Sequence, residues 1–266
     1  MNQLGIHDIY SLQKEIKKNG KKYYTNYYTI DSADDFQIVK GKESVVFFAK
    51  EECFQRAYYF TSDLDELTSL FMRMKEMLVM DIICQGDMKE EEKRAFEQAG
   101  FAKYAVYCKR QYPLEKGGRT EKDTGIFDEF YNPDFFQFAK DSDVPEIEAL
   151  LYSVFDTVVS HLPTKERLAE MVQNRNVVCY RANGQIVALY IFLVQGRKLY
   201  SNISYNIASA DVLYSMERRA RELAYEEYGV KWVYAWYDIE NKKALRRSVY
   251  IDTGLRDYIY VKKDEQ

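Results

Sequence analysis

The stretch VVCYRANGQIVALYIFLVQGRKLYSNISYN, residues 177–206, decides the fold of this chain. Its first apolar run, Val177-Val178-Cys179-Tyr180, ends at Asn183-Gly184. That dipeptide suits a two-residue hairpin turn, because both of its positions accept a left-handed backbone. The apolar run 186–194 follows, far too short to cross a bilayer. Gln195-Gly196-Arg197-Lys198 then turns the chain into a third strand, 199–206. Upstream, Asp143 with Glu146 three residues on reads as a capping box opening a helix. Ile147, Leu150, Leu151, Val154, Phe155 and Val158 then recur at helical spacing. His161-Leu162-Pro163-Thr164 interrupts, and Thr164 caps a second helix carrying Leu168, Met171 and Val172. Downstream, a helix over 212–228 turns Leu213, Met216, Ala220, Leu223 and Ala224 inward and stops at Gly229. A strand over 231–237, a helix over 242–250 and a strand over 255–261 complete the order α-α-β-β-β-α-β-α-β. The expected fold class is α/β (α+β): a mixed, mostly antiparallel sheet flanked by helices.

The rest of the chain is organised around this block. At 266 residues it is long enough for two domains. Its clearest break is polar and glycine-paired, Lys116-Gly117-Gly118-Arg119-Thr120-Glu121-Lys122-Asp123. The expected division is a first domain over 1–113, a linker over 114–134 and a second domain over 135–266. Aromatics just after the break (Phe127, Phe130, Tyr131, Phe135, Phe136) imply that the linker's end docks on something. An internal echo joins the halves: residues 78–109 align without a gap on 232–263, placing Gly100 on Gly254 and Tyr104 on Tyr258. The stretches 45–48 and 54–60 form a second match, to 177–192. The first half reads as a trimmed copy of the second.

Composition removes whole classes. Lys plus Arg is 38 against 42 acidic residues, a formal charge of -4, so no overall basic excess points to nucleic acid or to an anionic membrane. Cys53, Cys84, Cys108 and Cys179 sit far apart without a CxxC pair, which argues against a disulfide framework or zinc site and fits a cytoplasmic location. With His7 and His161 the only histidines, a multi-histidine metal centre is excluded. The basic positions Arg218, Arg219 and Arg221 read as a solvated helix face.

The stretch Ala235-Trp236-Tyr237-Asp238-Ile239-Glu240-Asn241-Lys242-Lys243-Ala244, with Gly254-Leu255 after it, resembles the strand, Asn and helix that flank the cofactor in the GNAT family, the GCN5-related N-acetyltransferases. Gly100-Phe101 in the first half is similar to the same family's Gly-Phe pair. Tandem GNAT arrangements fit the repeat, with the N-terminal half as a reduced GNAT-like domain. The resemblance implies a protein that moves an acyl group from acetyl-CoA or another acyl-CoA to a primary amine by direct attack. The acceptor would be a small molecule or a peptide, with no nucleic acid and no membrane involved.

By the same resemblance the cofactor lies between the strands 199–206 and 231–237. Backbone groups of Ser204, Tyr205 and Asn206 would hold its pantetheine arm. Its pyrophosphate would meet the helix start at Ala208, Ser209, Ala210, Val212 and Leu213, with Asn241 as a further contact. The family's glycine-rich loop is replaced here by Ala208-Ser209-Ala210. Asp211 would cap the helix and repel a phosphate. For the family's acid that protonates the departing thiolate, counting back four from Gly254 gives Tyr250, whereas counting forward seven from Asn241 gives Ser248; Tyr250 is the candidate. Asp238, Glu240 and Tyr205 are strand-end candidates for the base, and His161 borders the acceptor side. The alternative is a catalytically inactive GNAT-like protein that binds a ligand or a partner.

Overall fold

A computed structural model describes residues 3–4, 6–19, 22–27, 36–51, 53–120, 123, 126–247 and 251–263. The chain divides into two compact units, residues 1–107 with 254–266, and residues 108–253.

The first unit contains β1 (Gln3–Leu4), α1 (Ile6–Asn19), β2 (Tyr24–Thr25), β3 (Phe36–Lys40), β4 (Ser44–Lys50), β5 (Gln55–Thr61), α2 (Leu64–Met72), β6 (Leu78–Gln85), α3 (Glu90–Gln98) and the start of β7 (Ala102–Pro113). The second unit opens with the end of β7 and a one-turn 3-10 helix, Lys116–Gly118. Next come α4 (Ile126–Glu129), a second 3-10 turn, Pro133–Phe135, and β8 (Gln137–Phe138). α5 (Val144–Val154), α6 (Thr157–Ser160) and α7 (Lys165–Gln173) precede β9 (Val177–Ala182), β10 (Gln185–Gln195) and β11 (Lys198–Asn206). α8 (Ala210–Tyr228), β12 (Trp232–Asp238) and α9 (Lys242–Arg247) follow, and β13 (Ile251–Lys262) passes back into the first unit at Gly254.

In the first unit the sheet runs β1-β3-β4-β5-β6-β13. β13 lies antiparallel to β6 over a continuous ladder from Leu255↔Gln85 to Lys262↔Leu78. Its residues Tyr258, Ile259, Tyr260 and Val261 are buried. The Lys262 ammonium donates to the Phe71 and Met74 carbonyls at 2.7 and 2.8 Å, serving acceptors at the end of α2. Tyr59, Phe71, Phe96, Phe101 and Tyr260 pack at steep angles around this core.

In the second unit the sheet runs from the end of β7 through β12, β11, β10 and β9 to β8. Asn183 and Gly184 take φ of 52° and 82°, the left-handed pair that the β9–β10 hairpin needs. One face packs Leu189, Ile191 and Ile203 against Ile147, Leu151, Leu168 and Met171 of α5 and α7. The other packs Tyr190, Phe192, Leu199 and Val233 against Val212, Met216, Ala220 and Ala224 of α8.

Four expectations change. The division of the chain differs from 1–113, 114–134 and 135–266: residues 108–134 fold with the second unit, and β13 belongs to the first from Gly254 onward, because its ladder is with β6. The polar linker is ordered where described, since Gly118 and Asp123 are buried. Asp143 does not cap α5; its carboxylate accepts from Lys140 N–H at 2.8 Å and from Arg181. The second match slips by one strand, because the antiparallel pair followed by a helix and a parallel strand is β4–β5 in one unit and β10–β11 in the other. The gapless alignment itself sets β6, α3 and β7 on β12, α9 and β13, with Gly100 and Gly254 both left-handed.

Candidate functional site

β11 and β12 are parallel and pair at Lys198↔Trp232, Leu199↔Val233 and Tyr200↔Tyr234. Beyond Tyr200 and Tyr234 the two strands continue without pairing to each other, so a V-shaped gap opens toward Asn206 and Asp238. A bulge lies at its apex. The β10 ladder steps from Ile191↔Ile203 to Phe192↔Ser201, which leaves Asn202 as the extra residue. Ile207 N–H donates to Val187 O at 3.0 Å, so by alternation positions 203, 205 and 207 spend their backbone groups on β10. The N–H and C=O groups of Ser204 and Asn206 therefore face the open side, and those of Tyr205 do not. The Tyr205 side chain packs on the α5–α7 core cluster.

The gap leads to the start of α8. Ser209 is its N-cap residue, and its side chain makes no capping hydrogen bond. Asp211 does not cap either; it sits one residue inside the first turn. The Asn206 side chain shapes the loop, accepting from Ala208 N–H and donating to Ser209 O, both at 3.0 Å. Ala208, Ser209 and Ala210 are exposed, Leu213 is half-buried, and Val212 is buried in the core. Small exposed residues beside uncapped N–H groups fit an anion such as a pyrophosphate.

The first unit has the same strand divergence but closes it. β5 pairs with β6 at Gln55↔Leu78 and Arg56↔Val79. The edge left open is covered by the unit's own chain: β2 pairs there with Phe60 and Thr61. Asn26 donates to Ala57 O and accepts from Tyr59 N–H, and Thr25 donates to Tyr59 O. The Tyr24 hydroxyl and Lys22 both bond Glu91, anchoring this strap to α3. β4 and β5 pair in one unbroken register with no bulge. The start of α2 is capped, because the Asp63 carboxylate accepts from the N–H groups of Asp65 and Glu66. Every feature open in the second unit is filled here.

The other candidates are spread out. Asp238 and Asn241 shape the β12–α9 turn: Asp238 accepts from Glu240 N–H, and Asn241 caps α9 by accepting from Ala244 N–H. Glu240 is exposed, 4.0 Å from the Lys242 ammonium. His161 ends α6 in a left-handed conformation and is exposed. Tyr250 lies outside the described residues. Sequence reasoning misses Glu217, an α8 residue whose carboxyl is pushed up by burial and whose charge acts on Tyr190. The Tyr190 hydroxyl in turn hydrogen-bonds the side chain of Ser201, beside the bulge.

Arg218 and Arg221 do not form a solvated face. The Arg221 guanidinium bonds Asp123 at 2.8 and 2.9 Å, and Arg218 bonds Asp128 and Glu222 at 2.5 and 3.0 Å. Both arginines are buried; Arg219 remains half-exposed and reaches Glu222. Asp123 and Asp128 thus neutralise the outer face of α8. Among the described residues no His, Cys, Asp and Glu side chains group to hold a metal ion. None of the described helices is long and apolar enough to cross a membrane.

No family model matches the chain, and no curated protein matches it by sequence. Solved structures do match its fold. A GCN5-related N-acetyltransferase from Sphaerobacter thermophilus superposes with a TM-score of 0.59 at 12% identity, covering 95% of this chain and 86% of its own. A tandem GNAT protein from the clavulanic acid biosynthesis pathway gives 0.53 at 8% identity, covering 93% and 85%. A GCN5-related N-acetyltransferase from Kribbella flavida gives 0.51 at 12% identity, covering 97% and 96%. The fold of this chain is that of the GNAT acetyltransferases.

Proposed function

We propose that the second unit binds an acyl-CoA and transfers its acyl group, most simply acetyl, to a primary amine. The observation that carries this reading is the unpaired edge of β11 beyond Tyr200, opened beside a bulge and leading to an uncapped helix start. Ser204 and Asn206 would hold the pantetheine arm as an added strand, and the N–H groups of Ala210 and Asp211 would meet the pyrophosphate. A backbone N–H at the bulge would polarise the thioester carbonyl. In the transfer the amine nitrogen bonds the carbonyl carbon and the carbon–sulfur bond breaks. The amine loses a proton and the thiolate takes one up. Tyr250 is the sequence candidate for that acid, Glu240 for the base that takes the amine proton, and His161 for a residue on the acceptor side.

A binding protein without turnover is the second reading, and Asp211 favours it by placing a negative charge where a phosphate would arrive. Calorimetric titration with acetyl-CoA, with a charge-matched nucleotide as control, tests the reading. Micromolar binding together with amine-dependent thiol release supports it. Binding without release leaves the second reading standing, and no binding at millimolar acetyl-CoA removes the first.

A further inference from the structure

The face of the second unit's sheet turned away from α8 carries two lysines, Lys109 and Lys198, over a group of aromatic rings. Leu199 and Val233 pack in the α8 cluster, so Tyr200 and Tyr234, one residue on, point to the opposite face. Trp236 follows Tyr234 by two residues and shares its side, as Lys198 shares that of Tyr200. Tyr200 and Tyr234 stack with centroids 4.8 Å apart and planes within 5°. The Tyr234 hydroxyl donates to Gln195 Oε1 at 2.5 Å, fixing the ring. Over these rings lies the Lys109 ammonium of β7, 4.0 Å from the Tyr234 centroid and 5.8 Å from that of Trp236. Burial, and then the charge of Lys198, hold its pKa below the usual lysine range. Neither lysine has an ion-pair partner among the described residues.

Two ammonium groups that act on each other without a carboxylate are unfavourable until an anion arrives. The aromatic rings offset only part of that cost. The place of the patch decides which anion. Tyr200 and Tyr234 form the last pair before the strands diverge, and Trp236 lines the diverging part of β12. Six residues of strand, roughly 20 Å, separate Tyr200 from Asn206 and the α8 start. The pyrophosphate site is thus at the far end of the gap, and the lysines border its apex, where the acyl group would be delivered.

We infer that Lys109, with Lys198 and the rings of Tyr200, Tyr234 and Trp236, seats the anionic group of the acceptor amine, a carboxylate or a phosphate. The inference rests on the acyltransferase reading and narrows the acceptor to amino acids or amino phosphates, because a second ammonium would be repelled. The test measures thiol release from acetyl-CoA with glycine, glycinamide, phosphoethanolamine and spermidine as acceptors. For the wild type, kcat/KM is expected to be at least about tenfold higher for an acid-bearing amine than for glycinamide or spermidine, the effect of one charge-assisted contact. Glycine against phosphoethanolamine tells carboxylate from phosphate. K109M should abolish the preference through KM while leaving acetyl-CoA affinity unchanged, and K109R should keep it. Equal use of glycinamide or spermidine, or a preference intact in K109M, overturns the assignment. Failure of acetyl-CoA to bind would instead remove the underlying reading. The lysine seat is then judged by titration with glutarate, which must bind the wild type and not K109M for the anion seat to stand.

Discussion

Asp123 lies in a polar, glycine-rich stretch, yet its side chain is 1% exposed and faces Arg221. Burial alone would raise its pKa, but the Arg221 charge and the Tyr214 and Thr120 donors outweigh that and hold it below the usual range. A depressed folded-state pKa stabilises above the unfolded value, about 4, and the contribution disappears as pH falls through the folded one. The wild-type melting temperature should therefore drop on acidification below about pH 4, and D123N should show a shallower drop in that window. At neutral pH D123N should lose about 3–5 kcal/mol, because it leaves Arg221 buried and unmatched; a loss under about 1 kcal/mol in denaturant titration would show the pair to be dispensable. The pair is not legible in the sequence: Arg218 and Arg221 share a helix face, and nothing in their spacing reveals that acids 90 residues or more upstream cover it. Asp211 is the opposite case, a charge visible in the sequence whose effect the structure sharpens. It sits in the first turn without capping, so D211N should tighten acetyl-CoA binding about two- to fivefold, the scale of one charge at a helix start. The same gain from D211G would show that charge, and not loop geometry, is what opposes the phosphate. Unchanged affinity in both variants would clear the carboxylate of that role.

Individual helices and strands follow from the sequence where one local rule decides the outcome. Asn183-Gly184 fixes a hairpin, Thr164 caps α7, and Gly229 ends α8 in a left-handed conformation. The bulge is different. Leu199, Ile203 and Tyr205 have the same parity, so strict alternation would put all three on one face. Leu199 instead packs against α8, and Ile203 and Tyr205 pack against α5 and α7. One inserted residue reverses the phase without changing the run of apolar positions, and only the ladder reveals it. Deleting Asn202 should therefore preserve the fold, since Ser201 keeps Phe192 and Ile203 keeps Ile191 as partners. If the bulge N–H polarises the thioester, the deletion should reduce kcat by about 100-fold or more. Acetyl-CoA affinity should change little, because the Ser204 and Asn206 edge remains. Unaltered kcat in a folded deletion variant would remove the bulge from the chemistry.

The repeat is legible across the full chain, and the path of the chain through it is not. Gly100 aligns with Gly254, and both prove left-handed, but β13 completes the sheet of the first unit although it follows α9 of the second. Hydrophobic pattern specifies that a strand is needed and which face it buries; it does not say which sheet supplies the partner. The ladder with β6 makes the first unit dependent on a strand that the chain reaches only after the second unit. A variant truncated after Thr253 loses the buried Tyr258, Ile259, Tyr260 and Val261 and exposes the edge of β6. It also takes the Lys262 ammonium away from the Met74 carbonyl and leaves the Phe71 carbonyl to its Met74 N–H partner. The truncated chain should lose amide-exchange protection throughout β4, β5, α2 and β6, while β9, β10, β11 and α8, which lie wholly within residues 108–253, keep theirs. Adding a synthetic peptide of residues 251–263 should restore protection to the first unit, since its ladder needs only those backbone groups. If protection in β4–β6 survives truncation without the peptide, β13 is an accessory edge. If it is lost and the peptide restores it, the first unit is closed by a strand borrowed across the tandem repeat.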